Sequence, residues 1–337
     1  MPNRPPSKDP EALAQGVVAG QRRALAKAIT LVESSNPSDR VLASELLQRL
    51  DASDSVAMRI GLSGTPGVGK STFIEAMGMA LVGQGHRVAV LAVDPSSARS
   101  GGSILGDKTR MDLLSRSPDA FIRPSPSEGT LGGVARRTRE TIRLVEAAGF
   151  DVVIVETVGV GQSETLVAEM TDIFLLLLAP AGGDELQGVK RGIMEIADLI
   201  VVNKADGHLK PVAESTRTDY AGALRLLRKR GSDPEGFPTA LTVSAVTGDG
   251  LTVLWEKIVE LFGWRRDSGR IAVKRAAQAG TAFDRSVEQT LLQALNADRD
   301  VMTRLSALRR RVAAGEMDAE IAAADLVAAF LGTDQGR

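Results

Sequence analysis

The chain predicts an α/β fold, a parallel sheet with helices on both faces, and three observations carry the prediction. Short apolar runs at residues 58–63, 87–93, 152–156, 173–178, 199–203 and 239–244 have the continuous character of strands buried on both sides. Helical periodicity lies between them, after residue 71 and around residues 134–148, 212–230 and 251–261, as the crossovers of a parallel sheet require. Between the first strand and the first of these helices stands Gly64-Thr65-Pro66-Gly67-Val68-Gly69-Lys70-Ser71, the G-x-x-x-x-G-K-S of a phosphate-binding loop in its strand–loop–helix setting.

That loop fixes the class of ligand. Its glycines allow successive backbone N–H groups to turn inward toward phosphate oxygens, and the following helix adds its positive end at the same place. Lys70 is expected to reach the β- and γ-phosphates, and the Ser71 hydroxyl to ligate Mg²⁺. Gly64, Gly67, Val68, Gly69, Lys70, Ser71 and Thr72 form the expected phosphate cradle.

The base is read further along. A strand ending at Val202 runs into Asn203-Lys204-Ala205-Asp206, an N-K-x-D pattern. A carboxylate there accepts two parallel hydrogen bonds from guanine N1–H and the exocyclic amine. Adenine has no such amine and turns an acceptor toward the carboxylate, so the wrong base leaves the site unpaired. Asp206 is therefore the base reader, Asn203 a brace for the loop, and the Lys204 stem lies along the base plane. Ser244 and Ala245 supply a second contact, with a backbone N–H near Ala245 meeting guanine O6. GTP and GDP are the expected ligands, with Mg²⁺.

Composition excludes other classes. The 337 residues are 43% hydrophobic and 25% charged, with a formal net charge of -1, so nothing favours nucleic acid or anionic lipid. No apolar run is long enough to span a bilayer. The first residues lack the apolar core of a signal peptide, which makes the cytoplasm the expected location, with neither nucleic acid nor membrane as a partner. With no cysteine and only His86 and His208, a disulfide framework is ruled out and a soft-metal site is not expected.

Three regions follow. Residues 1–55 are an N-terminal helical extension: a polar tail, then helical spacing interrupted at Asn36-Pro37-Ser38-Asp39. Residues 56–264 are the nucleotide-binding domain. Residues 265–337 lose strand signals and carry helical spacing through Phe283, Val287, Leu291, Leu292 and Leu295, then Val301, Leu305 and Leu308, and after Gly315 through Ile321, Leu326 and Phe330. Such an arm buries its apolar stripe on the sheet domain or on a second copy.

The hydrolytic parts are acidic. Asp94 ends the second strand and is a candidate Mg²⁺ ligand. The Gly-rich segment 101–111 reads as a switch loop carrying Asp107 as an alternative ligand. Residues 152–156 form the acid-ending strand beside the phosphate loop, where Glu156 replaces the more usual aspartate and reaches Mg²⁺ through water. Gly159 N–H is the γ-phosphate sensor. The candidate catalytic residues are Lys70, Glu156 and Asp107; the candidate metal ligands are Ser71, Asp94, Asp107 and Glu156. Ras-like GTPases place a water-orienting glutamine directly after the sensor glycine. Here Val160 stands there and Gln162 lies two residues on, so slow intrinsic hydrolysis completed by a partner is predicted. Arg110, Arg136 and Arg137 are arginine-finger candidates, each read as a surface charge. The segment after the fourth expected strand carries Asp184, Gln187 and Lys190, polar groups that would pass nucleotide state to a bound protein or merely cap a helix.

Taken together, Val93-Asp94-Pro95-Ser96-Ser97, the segment 101–111, Glu156-Thr157-Val158-Gly159-Val160-Gly161-Gln162, Asp184-Glu185-Leu186-Gln187-Gly188 and the run from Gly192 to Gly207 resemble one family, the methylmalonyl-CoA mutase-associated GTPases, called MeaB or ArgK in bacteria and related to the human MMAA protein. The resemblance runs from about Glu11 to the end. It implies a SIMIBI-like P-loop NTPase sheet and a homodimer joined through the C-terminal arm. It also implies a GTPase chaperone of an adenosylcobalamin-dependent methylmalonyl-CoA mutase, one that gates cofactor delivery from an adenosyltransferase and protects the mutase from inactivation. On this resemblance Asp94, Asp107 and Glu156 are the Mg²⁺-linked acids, and Asp184, Gln187 and Lys190 are the loop coupling nucleotide state to the mutase. The chain departs from the family at Ala98-Arg99, where relatives often carry proline and then a small or aromatic residue. Two rival readings are a nickel-insertion GTPase, which needs the cysteine or histidine clusters this chain lacks, and a P-loop kinase, which needs an acceptor pocket and usually an arginine-rich lid.

Overall fold

The computed structural model describes residues 8–50, 56–93, 111–124, 131–157, 163–180, 191–226 and 233–332. Among these, seven strands form one sheet: β1 (Met58–Gly64), β2 (Val88–Val93), β3 (Ala120–Arg123), β4 (Val152–Thr157), β5 (Ile173–Leu178), β6 (Leu199–Val202) and β7 (Thr239–Thr242). Their order is β3-β2-β4-β1-β5-β6-β7 and every pairing is parallel. All C-terminal ends therefore share one edge, where ligands of open α/β sheets bind.

Alternation along the strands builds two cores. Ile60, Leu62, Ile154, Leu175, Leu177 and Val201 face one layer, with Phe73, Ile74, Met77, Leu254 and Ile258 from the helices Lys70–Gly83 and Leu251–Asp267. Leu91, Val153, Val155, Phe174 and Leu176 face the other, beneath the helix Leu131–Ala147 and the N-terminal helices. Each such side chain contributes roughly 1.5–3 kcal/mol by leaving water, which is why six strands declare themselves as apolar runs. β3 does not. It is a four-residue edge strand, Ala120–Arg123, beside β2, with three half-buried residues, too short and too polar for a periodic signal.

The N-terminal region forms three helices, α1 (Pro10–Val18), α2 (Arg22–Glu33) and α3 (Pro37–Gln48). Asp9 caps α1 by accepting from the N–H groups of Glu11 and Ala12, and Asn36 caps α3 ahead of Pro37. The break between α1 and α2 has no proline to announce it. Gly20 makes the turn in the left-handed region, at φ 70°, where a Cβ would be strained. These helices dock on Leu131–Ala147: Arg40 forms a two-pronged pair with Glu140 at 3.0 and 2.7 Å, and Arg143 donates to Leu47 O at 2.9 Å.

The chain divides into two compact units, one ending at Gln278 and the other starting at Ala279. The division falls beyond the change of character after Trp264 because charged groups tie the next residues to the sheet. Arg265, only 6% exposed, pairs with Asp198 at 2.7 Å and Asp233 at 2.6 Å and donates to Asp172 O at 2.8 Å. Arg275 holds the buried Asp172 carboxylate at 2.7 Å, and Gln278 donates to Thr171 O at 2.9 Å. Burial alone would weaken the hold of Arg265 on its proton, but Asp198 and Asp233 outweigh it and raise its pKa. In the second unit, the helices Arg299–Ala313 and Ala319–Phe330 pack around Val301, Leu308, Ala322 and Leu326, capped by Asp298 and Asp318. The expected break at Gly315 lies between them.

Candidate functional site

The phosphate loop joins β1 to the helix Lys70–Gly83. Gly69 sits at the helix start with φ 91°, and a Cβ there would lie 2.9 Å from Asn203 Nδ2. Gly64 lies so close to Leu177 O of β5 that a Cβ would overlap the backbone. Both glycines thus let the loop lie close against its neighbours. Val68 is buried under the loop, Ser71 is half-buried, and Thr72 in the first helical turn is exposed.

Lys70 Nζ donates to Gly64 O at 2.6 Å and Thr65 O at 3.4 Å, folded over the mouth of its own loop. Its pKa is lowered, chiefly because burial disfavours the charged form, while the carboxylates of Glu156 and Glu164 pull the other way. Glu156, the penultimate residue of β4, is 4% exposed and in register with Leu62 of β1 and Ala92 of β2. Beside it Thr157 Oγ1 donates to Ser63 Oγ at 3.0 Å, locking β4 to β1 at the phosphate edge. The Ser71 hydroxyl and Glu156 carboxylate are the hard oxygen donors that Mg²⁺ takes, and Glu156 lies within electrostatic reach of Lys70, so the described residues suit the ion chemically. Asp94, Asp107, Gly159, Asp184, Gln187 and Lys190 lie outside the described residues, as do Arg110, Val160 and Gln162.

The candidate base-reading residues are brought together. Asn203 follows β6 and is buried; its Nδ2 donates to Val68 O at 3.0 Å, and its Oδ1 accepts from Ala245 N–H at 3.1 Å. It therefore braces three segments at once. The Ala245 N–H, the candidate contact to guanine O6, is bonded here to the Asn203 side chain. Lys204 sits in the left-handed region at φ 58° and donates to Gly67 O at 2.8 Å, its stem laid across the loop. Ser244 Oγ donates to Asp206 Oδ2, while Thr247 N–H donates to Ser244 Oγ at 3.1 Å. The Asp206 carboxylate is thus oriented by the hydroxyl that precedes Ala245.

One assignment changes. Arg137 is no surface charge: it is 8% exposed and donates to Ser35 Oγ at 2.6 Å, holding the end of α2 against its own helix. Arg136 is half-buried, its pKa lowered first by burial. A further residue gives no signal in the sequence. Glu164, in the first turn of Ser163–Ala168, is 1% exposed and acts on the Lys70 charge. A glutamate three residues after Gly161 reads as an ordinary first-turn acid, and only the packing of its helix on β1 and β4 turns it inward.

Sheet topology, a phosphate loop closed by its lysine, and a braced N-K-x-D reader define a P-loop GTPase. The chain belongs to the MeaB family: the model described as methylmalonyl Co-A mutase-associated GTPase MeaB matches residues 25–300. GTPase ArgK of Escherichia coli is 49% identical over 281 residues, 83% of this chain and 84% of that protein. The methylmalonic aciduria type A homolog of Mus musculus, a mitochondrial protein, is 47% identical over 325 residues, 94% of this chain and 78% of its own length. Among solved structures, one titled LAO/AO transport system kinase superposes with a TM-score of 0.74 at 36% identity, covering 96% of this chain and 98% of the other. Among the described residues, no helix is long and apolar enough to cross a membrane.

Proposed function

We propose that this GTPase is a chaperone of an adenosylcobalamin-dependent methylmalonyl-CoA mutase, using GTP binding and hydrolysis to gate cofactor delivery and to protect the mutase from inactivation. The observation that carries the reading is the family match over residues 25–300, whose description is mutase-associated. The name of the mouse relative points the same way. The adenosyltransferase that would supply the cofactor is part of the same proposal, as are the Mg²⁺ requirement and the cytoplasmic location.

The chain's own groups account for the nucleotide chemistry. Lys70 exchanges Gly64 O and Thr65 O for the β- and γ-phosphate oxygens, where the charge of the substrate restores the stability of its ammonium form. Asp206, held by Ser244, accepts from guanine, and Asn203 keeps the reader in register with the cradle. Mg²⁺, held by Ser71 and Glu156 with Asp94 and Asp107, would neutralise charge on the same phosphates. Val160 offers no group to orient the attacking water, so turnover by the isolated chain is slow and the partner completes it. Asp184, Gln187 and Lys190 carry the nucleotide state to that partner.

The second unit supports a homodimer. The helix Arg270–Ala297 exposes Phe283, Val287 and Leu291 at four-residue spacing, with Phe283 68% exposed. A stripe of that kind on one helical face is what a second copy would cover.

The test is GTP hydrolysis by the purified chain with and without the mutase loaded with adenosylcobalamin, with Lys70→Ala as the inactive reference. Slow turnover that rises at least tenfold on adding mutase, roughly 1.4 kcal/mol of barrier, supports the proposal. Turnover that the mutase leaves unchanged refutes the partner while keeping the GTPase.

A further inference from the structure

A cavity of about 590 Å³ opens among the N-terminal helices, lined by α1, α2 and the start of α3. That volume suits a small molecule, since ligand pockets run from about 300 to 1,000 Å³. Leu13, Ala26 and Leu31 give it an apolar lining. Its charges are unevenly matched. Both carboxylates on its wall are already engaged: Glu33 pairs with Arg123 through Nε at 3.0 Å and through Nη2. Asp39 accepts from Lys8 at 2.6 Å and Ser34 at 2.8 Å, bonds that hold its carboxyl below the usual range. Arg23 and Lys27 are different. They stand one helical turn apart on α2, both on the cavity wall, and among the described residues neither has an ion-pair partner.

An open groove with an apolar floor, and with two cations on its wall that have no ion-pair partner among the described residues, selects a particular chemistry. We propose that this cavity binds a small amphipathic anion, its apolar body against Leu13, Ala26 and Leu31 and its carboxylate, sulfonate or phosphate head on Arg23 and Lys27. The chain's own first residues are the competing occupant. Met1-Pro2-Asn3-Arg4-Pro5-Pro6-Ser7 brings a cation and no acid, so its charge is wrong for that wall. The site is separate from the phosphate cradle. Its wall reaches the sheet through Glu33, whose partner Arg123 ends β3 in register with Leu91 of β2.

The full chain, saturated with GDP, is titrated with 8-anilinonaphthalene-1-sulfonate, an apolar body with one anionic head, and the bound dye is competed with octanoate or octylamine. Saturable binding displaced by octanoate and not by octylamine is expected. Arg23→Glu combined with Lys27→Glu weakens it at least tenfold, about 1.4 kcal/mol, and Ala26→Trp, which fills the chamber from an exposed helical position, abolishes it. Circular dichroism melting checks that both variants fold. Dye affinity unchanged in both variants places the dye on other apolar surface and overturns the proposal, as does equal displacement by octylamine. Removal of residues 2–7 is the remaining arm: unchanged dye affinity is expected, and a gain of tenfold or more would make that segment the occupant and overturn the proposal.

Discussion

Asn203 and Val68 are joined by a hydrogen bond of 3.0 Å, the side-chain amide of the base-reading segment donating to a carbonyl of the phosphate loop. With the 3.1 Å bond from Ala245 N–H to Oδ1 of the same side chain, one buried residue ties the candidate base reader to the candidate phosphate cradle. Asn203→Ala would leave Val68 O and Ala245 N–H buried without partners, at about 1–3 kcal/mol each. GDP and GTP should therefore both bind at least tenfold more weakly, with the loss shared equally between them because the brace touches neither phosphate number nor charge. Titration with a fluorescent GDP checks this; wild-type affinity for both nucleotides would remove Asn203 from the site.

Asp206 reads the base only if its carboxylate accepts. Asp206→Asn presents a donor where guanine also donates, and xanthine, with a carbonyl in place of the exocyclic amine, becomes the better match. The expected outcome is a preference for xanthosine over guanosine triphosphate in competition binding. Ser244→Ala frees the carboxylate from its hydroxyl and should weaken GTP binding by only about 1 kcal/mol, without changing base preference. A D206N variant that still prefers GTP would place the guanine elsewhere.

Glu164 puts a buried negative charge near the phosphate site, balanced against Lys70 when no nucleotide is bound. Glu164→Gln keeps the shape and removes the charge. Nucleotide phosphates then meet less repulsion, so GDP should bind up to roughly tenfold more tightly, the scale of a Coulomb contribution of 1–2 kcal/mol at interior dielectric. Hydrolysis should slow at the same time, because the lysine loses one of the charges that position it. Tighter binding with slower turnover separates this role from simple damage, which weakens both. If stopped-flow binding and turnover both match the wild type, Glu164 has no part in positioning Lys70.

The fold was legible where physics repeats. β5 and β6 are uninterrupted apolar runs because both their faces are covered, and the crossover helices are periodic because one stripe meets the sheet. Lys70, Asn203 and Asp206 were legible because a short motif encodes a local geometry. What escaped depends on contacts far along the chain. β3 is strand only because β2 lies beside it. Gly20 ends a helix with a turn that no neighbouring proline marks. Arg137 and Glu164 look like surface charges in sequence and are buried by the packing of helices, Arg137 against Ser35 far back along the chain. The bond between Ala245 N–H and Asn203 Oδ1 was not legible either, because it joins residues 42 positions apart.

Arg265 is the sharpest test of what holds the first unit together at the edge opposite the nucleotide. It is shared between Asp198 and Asp233, and Asp198 Oδ2 also accepts from Phe174 N–H at 2.8 Å. Arg265→Met preserves the bulk of the stem but leaves two buried carboxylates without their shared cation, a loss of about 3–5 kcal/mol. Asp198→Asn removes one charge while keeping an acceptor for Phe174, and Asp233 still neutralises the arginine, so its cost should be smaller. Combining the two substitutions should cost less than their sum, because the asparagine relieves one of the orphaned charges. At roughly 2–4 °C per kcal/mol for a domain of this size, the arginine variant should melt some 6–20 °C lower than wild type by calorimetry. GTP hydrolysis at low temperature should be unaffected, since the cluster lies at the N-terminal ends of β5 and β6. A melting temperature within 2 °C of wild type would mean that water, and not the protein interior, surrounds Asp198 and Asp233.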